Sequence, residues 1–199
     1  IVATNQNDIL KRVINTGIYK PKQVVHTISP SMDIQVASNF ERLIFDICSC
    51  SSDKTLKLMT DLSEKKEFKL EKEEINKIKK DFYSESVSDN ETKSIINKIY
   101  KDEKIFIDPH TAVGIGAMKK MSLENNTIVL STAHPSKFSE VVKEQTNMKP
   151  ELPEHIKEDS ENSQFFDFMD MVYIAIIPMF NSFYKREYFY MRVLIKEGL

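Results

Sequence analysis

Glycine is scarce in this sequence. The 199 residues include four glycines, whereas an average usage of about 7% would give roughly fourteen. The one closely spaced pair, Gly114 and Gly116, continues into Ala117, Met118 and Lys119. This continuation matches neither the dinucleotide-binding pattern nor the P-loop pattern, because both require further glycines. The sequence therefore contains no glycine-rich loop for binding a phosphate group.

Cysteine and histidine are too few and too scattered to indicate a metal site. The two cysteines, Cys48 and Cys50, are two residues apart, and this spacing on a helix points them to nearly opposite faces. We therefore predict that they neither pair with each other nor share a metal ion. The histidines lack the spacing of zinc ligands, and they are His26, His110, His134 and His155. We predict no metal and a reduced, intracellular protein.

An excess of positive charge is also missing. Lys and Arg number 28 against 30 Asp and Glu, and four of the basic residues are Arg. A formal net charge of -2 gives no electrostatic footprint for nucleic acid. The longest apolar run, residues 171–180, is about half the roughly twenty residues that a membrane helix needs. We predict a cytoplasmic protein that binds neither nucleic acid nor membrane.

The remaining composition is typical of a folded domain. A hydrophobic fraction of 41% with 29% charged residues is close to the average for soluble globular proteins. The first ten residues, IVATNQNDIL, have neither the basic segment nor the apolar stretch of a signal peptide. We expect them to continue a longer protein on the N-terminal side.

Three segments share one pattern, in which a short β-branched run ends in polar residues that then open a helix. The helix-opening residues include Asp108 with Pro109, a good N-cap followed by proline at the first helical position. Repeated strand, turn and helix predict an α/β layer with parallel strands. In such sheets ligands bind at the carboxyl ends of the strands. The three runs are residues 1–4, 105–107 and 127–130.

Two further segments predict helices of different character. Residues 29–47 begin with Ser29-Pro30-Ser31 and carry an apolar stripe at helical spacing, which predicts one buried helix. Residues 64–81 mix charges of both signs at i, i+4 distances, which predicts a solvated helix pair outside the core. The stripe consists of Met32, Val36, Phe40, Leu43, Ile44 and Ile47.

Four ordered motifs carry a resemblance to a known family. They are IVATNQNDIL at residues 1–10, SPSMDIQVASNFERLIF at 29–45, DPHTAVG at 108–114 and STAHPSKF at 131–138. In order and in spacing they resemble the C-terminal portion of the threonine synthase family. SESVS at 84–88, ETKSIINKIY at 91–100 and LPE at 152–154 fit as well. The resemblance spans residues 1–157, with a helical insertion around 50–103.

The resemblance implies a pyridoxal-phosphate enzyme that converts O-phospho-L-homoserine and water to L-threonine and phosphate. The implied fold is the tryptophan-synthase β-like fold, or fold type II, an α/β three-layer sheet with flanking helices that is incomplete in this chain. In the family, the lysine that binds the cofactor and the glycine-rich loop for its phosphate both precede the IVATN segment. We therefore assign no catalytic residue to this chain and expect it to be inactive alone.

The resemblance also implies which residues contact the cofactor. Thr132 would hydrogen-bond the pyridine nitrogen with Ser131 beside it, although an ordinary cap between strand and helix is the alternative for this pair. His110 could act as an acid or base near neutral pH, yet a histidine at a helix start more often bonds locally. The implied cofactor-binding residues are Thr132, Ser131, Asp108, His110, Thr111 and Asn5.

A second group of residues is expected to bind the anionic substrate. Ser29 and Ser31 offer hydroxyls and free N–H groups at a predicted helix start, which is a natural anion site. Arg42 lies on the polar side of the same segment with Asn39, and its guanidinium fork suits a phosphate. The alternative for Arg42 is a surface salt bridge with Glu41 or Asp46.

The end of the sequence departs from the family. Residues 158–199 hold ten of the nineteen aromatic residues and do not continue the strand, turn and helix pattern. A frameshifted end and a lineage-specific extension both explain this tail. A second hypothesis for the chain is a non-catalytic module that keeps the scaffold and binds a partner through the tail.

Overall fold

The computed structural model describes residues 1–122, 127–153 and 193–195, which form a mixed α/β structure. The strands are β1 (Val2–Thr4), β2 (Ile18–Tyr19), β3 (Phe68–Lys69), β4 (Ser84–Ser86), β5 (Ile128–Leu130) and β6 (Val193–Ile195). The helices are α1 (Ile9–Thr16), α2 (Phe40–Ile47), α3 (Ser52–Lys65), α4 (Lys72–Asp81), α5 (Asp89–Glu103), α6 (Pro109–Lys120) and α7 (Ser139–Thr146). Two 3-10 turns, Pro30–Met32 and Pro135–Phe138, complete the regular structure of this part of the chain.

The strands pair two by two. β1 and β4 are parallel, with Val2 opposite Ser84, whereas β2 pairs with β3 and β5 pairs with β6 in antiparallel fashion. The predicted strands at 1–4 and 127–130 are present as β1 and β5. Residues 105–107, predicted as a strand, are not assigned to one in the described structure. The parallel partner of β1 comes from a segment for which the sequence predicted no strand.

The larger core lies between α1, α2 and the segment that links α3 to α4. Tyr19 is at its centre, with its ring stacked on Phe40 at 5.8 Å and on Phe68 at 4.9 Å between centroids. The prediction for residues 64–81 is therefore wrong. Phe68, Leu70 and Ile78 from that segment are all buried in this core. Most of its charged residues are exposed, and Glu74 is a buried exception.

Residues 29–47 do not form the single helix that the apolar stripe predicted. A 3-10 turn ends at Met32, irregular backbone follows, and α2 begins only at Phe40, so that Val36 is 61% exposed. The Asp33 carboxylate accepts hydrogen bonds from the N–H and the hydroxyl of Thr27. A side chain that bonds neighbouring backbone in this way competes with helix formation.

The second core lies under α5 and α6. Ile96, Ile107 and Ile115 are buried there, and Val87 and Val113 form a smaller cluster beside them. Glu91 in the first turn of α5 is held by Lys120 of α6 at 2.8 Å. Hydrogen bonds from Lys120 and from Ser88 lower the pKa of Glu91 to about 2. α6 packs against both α5 and β5, and its first turn lies next to the end of β5.

Gly116 of α6 is where this packing is tightest. A Cβ at this position would lie 2.9 Å from both methyl carbons of Val87 and from Cδ1 of Ile95. We expect Gly116→Ala to lower the free energy of unfolding by about 1–3 kcal/mol through overpacking, although alanine is better than glycine in a helix by about 1 kcal/mol. Urea denaturation followed by circular dichroism measures this difference.

Gly114 in the same helix is the matched control. Its Cβ would approach a single atom, Cγ1 of Val129, at 3.0 Å. Gly114→Ala should therefore stay within about 1 kcal/mol of the parent, since the gain in helix propensity offsets one close contact. Equal stability of the Gly116→Ala and Gly114→Ala variants would contradict the packing argument.

The cysteines, possible metal ligands and helix hydrophobicity can be compared with the sequence predictions. Cys48 is buried, Cys50 is exposed, and both are free thiols. Among the described residues, no group of three or more His, Cys, Asp or Glu side chains is arranged to hold a metal ion. No helix in this part of the chain has the length and apolar character to cross a membrane.

Candidate functional site

The base of the candidate site is the first turn of α6. Asp108 caps this helix from a fully buried position. Its Oδ1 accepts a hydrogen bond from the N–H of His110 at 2.9 Å, and both oxygens lie 3.4 Å from the Thr111 nitrogen. The Thr111 hydroxyl donates to Oδ2 of the same carboxylate. One buried carboxylate therefore fixes the backbone and two side chains of this turn.

The end of β5 lies against the same turn. The hydroxyl oxygen of Ser131, one residue after β5, is 3.3 Å from that of Thr111. Three residues predicted for the cofactor pocket, Asp108, Thr111 and Ser131, are thus brought together from two segments of the chain.

Thr132 follows Ser131 and is exposed. Its hydroxyl makes no hydrogen bond within the part of the chain that the structure describes. The alternative of an ordinary cap does not apply to it, since His134 caps the 3-10 turn at Pro135–Phe138 by accepting the N–H of Ser136. Thr132 therefore presents an unused donor and acceptor beside the buried cluster.

His110 lies between this cluster and the Ser29–Ser31 turn. Its Nδ1 is 2.9 Å from Oδ1 of Asp108, and its Nε2 accepts the backbone N–H of Ser31 at 3.3 Å. The ring of Phe138 covers the imidazole, with 4.8 Å between the centroids. Both ring nitrogens of His110 thus have protein partners.

The Ser29–Ser31 turn differs from the predicted helix start. The Ser29 N–H donates to the Thr27 hydroxyl at 3.1 Å, the Ser31 N–H to His110, and the Met32 N–H to the Ser29 carbonyl at 2.9 Å. The free N–H groups expected here are therefore all in use, because the turn is a three-residue 3-10 turn and not the first turn of a long helix. The Ser31 hydroxyl is exposed and, in the described structure, makes no hydrogen bond.

Asn5 supports this turn from below. It is almost fully buried, and its Nδ2 lies 3.0 Å from the Ser29 hydroxyl and 2.8 Å from Oδ1 of Asp33. Its Oδ1 accepts the N–H of Asn7 at 2.8 Å. The partners Asn7, Thr27 and Asp33 were not predicted from the sequence, although the alternation of Asn5 and Asn7 after a strand was a usable signal. A contact of Asn5 with a cofactor stays a prediction.

Arg42 and Asn39 form a separate exposed pair. Nη2 of Arg42 donates to Oδ1 of Asn39 at 2.9 Å. Within the described ranges Arg42 pairs with neither Glu41 nor Asp46, and no hydrogen bond joins the pair to Ser29 or Ser31. The guanidinium charge thus faces solvent without a described carboxylate partner.

Comparison with known proteins agrees with this arrangement of motifs. A family model described as "Threonine synthase, C-terminal" matches residues 111–174. Threonine synthase of Pseudomonas aeruginosa is 36% identical over 167 residues, which cover 82% of this chain and 36% of that protein. This chain belongs to the threonine synthase family. The resemblance found in the motifs is confirmed.

Solved structures of threonine synthase confirm the fold class as well. The crystal structure of pyridoxal-phosphate-bound threonine synthase from Brucella melitensis matches with a TM-score of 0.75 and 32% identity, over 81% of this chain and 35% of that one. Yeast threonine synthase matches with a TM-score of 0.71 and 36% identity, over 80% of this chain and 36% of that one. The chain has part of the fold type II architecture, and it spans about a third of the length of these relatives.

Proposed function

We propose that this chain forms one face of the active site of a threonine synthase, which converts O-phospho-L-homoserine and water to L-threonine and phosphate with pyridoxal phosphate. One observation carries the proposal. The free hydroxyl of Thr132 is exposed just after β5, directly beside the buried Asp108 and Thr111 and the half-buried Ser131. In α/β folds this is the edge of the sheet at which ligands bind.

The exposed hydroxyl fits the pyridine ring of pyridoxal phosphate. When bound, this cofactor withdraws electrons from the reacting substrate. Thr132 would orient the ring by a hydrogen bond to its nitrogen, and as a neutral partner it does not force that nitrogen to be protonated. Ser131, Thr111 and Asp108 hold the strand end in place beneath Thr132. The cofactor phosphate needs donors from elsewhere, since these residues include no glycine-rich loop.

The substrate carries a phosphate and a carboxylate, and we propose that Ser29, Ser31, Asn39 and Arg42 serve them. Of this group, Ser31, Asn39 and Arg42 are exposed. Arg42 bonds the neutral Asn39 and no described carboxylate, which leaves its charge to bind an anion through the bidentate fork. Ser29 is buried with its hydroxyl against Asn5, so it supports the turn from which Ser31 projects.

The domain boundaries follow from the same proposal. Residues 1–157 would form the C-terminal part of the catalytic region, with α3, α4 and α5 in the helical insertion around 50–103. Residues 158–199 would form a separate aromatic-rich tail, and most of the tail lies outside the described residues. The proposed cellular location is the cytoplasm, where the small-molecule substrate is used.

The chain by itself is proposed to be inactive. Its sequence contains 24 lysines, and none of them lies in a segment that resembles the cofactor-binding lysine motif of the family. The complete enzyme would then require the lysine and the glycine-rich loop from a preceding segment.

Thr132→Ala in the complete enzyme tests the proposed function. We expect a changed visible absorbance of the bound cofactor and reduced turnover, since the ring nitrogen loses its partner. The free energy of unfolding should change by less than about 1 kcal/mol, because an exposed hydroxyl without a protein partner contributes little to stability. Absorbance spectra, kcat and urea denaturation are the measurements.

Thr132→Ser is the matched control, because it keeps the hydroxyl and removes one methyl group. It should retain the spectrum and most of the turnover of the parent. Unchanged spectra and kinetics in Thr132→Ala would remove the main support for the active-site proposal and favour the non-catalytic module.

A further inference from the structure

The imidazole of His110 joins two parts of the molecule that are 79 residues apart in sequence. On one side Nδ1 lies 2.9 Å from the Asp108 carboxylate, and on the other side Nε2 accepts the N–H of Ser31 at 3.3 Å. An Nε2 that accepts a hydrogen bond carries no proton, so the ring proton is on Nδ1 and is donated to Asp108.

The ring has little freedom to take any other position. Its side chain is 5% exposed, and the carboxylate that holds it is fully buried. Phe138 packs against it at 4.8 Å, with the two ring planes tilted by 55°. Asp108 is itself fixed as the cap of α6. The position of Nε2 is therefore determined by the first turn of α6.

Ser31 depends on this nitrogen for its own position. Among the described residues, side chains distant in sequence hydrogen-bond Ser29 and Ser31 through Asn5 and His110 respectively, while the neighbouring Met32 packs against the Val87 and Val113 cluster. The contact with His110 holds the residue whose hydroxyl is exposed and unused. A displacement of the Ser31 backbone would displace that hydroxyl by a similar distance.

We propose that His110 is a positioning residue, which transmits the geometry of Asp108 to Ser31 and thereby sets where the Ser31 hydroxyl meets the substrate phosphate. This inference rests on the proposed function for the identity of the substrate. It differs from the expectation that His110 contacts the cofactor or acts as an acid or base. Both of its nitrogens are already bonded to the protein, which leaves neither for a reacting group.

Two substitutions separate the two ends of the imidazole. Asparagine places an N–H near the position of Nδ1 and can bond Asp108, but it does not reach Ser31. Glutamine places a carbonyl oxygen near the position of Nε2 and can accept the Ser31 N–H. In the complete enzyme, we expect His110→Asn to raise KM for O-phospho-L-homoserine about tenfold with kcat within about twofold, and His110→Gln to restore most of the parent KM.

A double substitution tests whether His110 acts through Ser31. Ser31→Ala should raise KM by itself, and adding His110→Asn to it should raise KM little further, because the hydroxyl that His110 positions is already gone. Additive effects of the two substitutions would show that His110 acts independently of Ser31. Equal KM values for His110→Asn and His110→Gln, or a loss of kcat with KM unchanged, would also overturn the proposal.

A measurement on the unsubstituted enzyme without substrate does not depend on whether the variants fold. With selective ¹⁵N-histidine labelling of the complete, unsubstituted enzyme, the resonances of His110 should show a protonated Nδ1 and an unprotonated Nε2. The peptide that contains Ser31 should exchange its amide hydrogens slowly. A proton on Nε2 or rapid exchange at Ser31 would refute the positioning role itself. Absence of threonine formation by the unsubstituted enzyme, with these two results intact, would refute only the proposed function.

Discussion

Asp108→Ala is expected to reduce the free energy of unfolding by about 3–5 kcal/mol. Loss of a helix N-cap costs about 0.5–2 kcal/mol, and each buried donor left without an acceptor costs about 1–3 kcal/mol. The fully buried carboxylate serves the N–H of His110, the hydroxyl of Thr111 and Nδ1 of His110. The expected loss is smaller than the sum of these separate costs, because water enters part of the space that the aspartate side chain leaves. Urea denaturation followed by circular dichroism gives the value.

Two other aspartate variants serve as comparisons for the loss of stability in Asp108→Ala. Asp108→Asn keeps one carbonyl oxygen as an acceptor and should lose about half as much stability as the alanine variant. Asp53→Ala removes an exposed acidic residue from the first turn of α3 and should cost only a few tenths of a kcal/mol. A loss of less than about 1 kcal/mol in Asp108→Ala would show that the cluster does not hold the first turn of α6 in the manner described.

Residues 1–199, purified alone and supplied with pyridoxal phosphate and O-phospho-L-homoserine, are expected to release no threonine above a protein-free control. The family reaction depends on a covalent bond between the cofactor and a positioned lysine. Exposed lysines of the described chain form surface ion pairs, as in Lys20 with Glu67 and Lys65 with Asp61. Phosphate and threonine assays measure turnover directly.

Borohydride reduction provides a second readout of the same prediction. It should leave no cofactor covalently attached to residues 1–199, whereas the complete enzyme should retain it on the upstream lysine. Threonine formed in proportion to the amount of the isolated chain would place the essential lysine within these residues and refute the proposal of inactivity.

Local signals account for the elements that the sequence predicted. Asp108 followed by Pro109 marks the start of α6 because the cap and the first helical position are adjacent in sequence. β5 and the polar residues after it were also predicted, since β-branched residues and a turn are enough to indicate them. The fold class followed from the order of the four motifs, which a strand and helix assignment alone would not have provided.

Long-range contacts account for what the sequence did not predict. β4 consists of Ser84, Glu85 and Ser86, which lack a strand pattern and are defined by pairing with β1. In the same way, Phe68 is within a charged segment and becomes core only by stacking on Tyr19. Pairing and stacking partners that are distant in sequence leave no periodic signal.

In the candidate site, too, some residues were predicted from the sequence and others depend on long-range contacts. Asp108, Thr111 and Ser131 were predicted as cofactor-binding residues from the resemblance to the family, and both of their segments follow strand-like runs. The role of the Ser31 N–H was not predicted, because its acceptor His110 belongs to another segment. The apolar stripe at residues 29–47 predicted a helix where the structure has the Ser29–Ser31 turn. Asp33 bonds Thr27 there and does not continue a helix.

The parallel pairing of β1 with β4 also constrains how quickly the chain reaches its final shape. The hydroxyl of Ser84 meets the carbonyl of Val2 across a separation of 82 residues, and such distant contacts slow folding because the intervening loop must first lose entropy. The larger core, with α1, α2 and the Phe68 to Ile78 segment, lies entirely inside that loop. We expect collapse of this core to shorten the effective distance between the two strands, so that β1 and β4 pair after the core has formed.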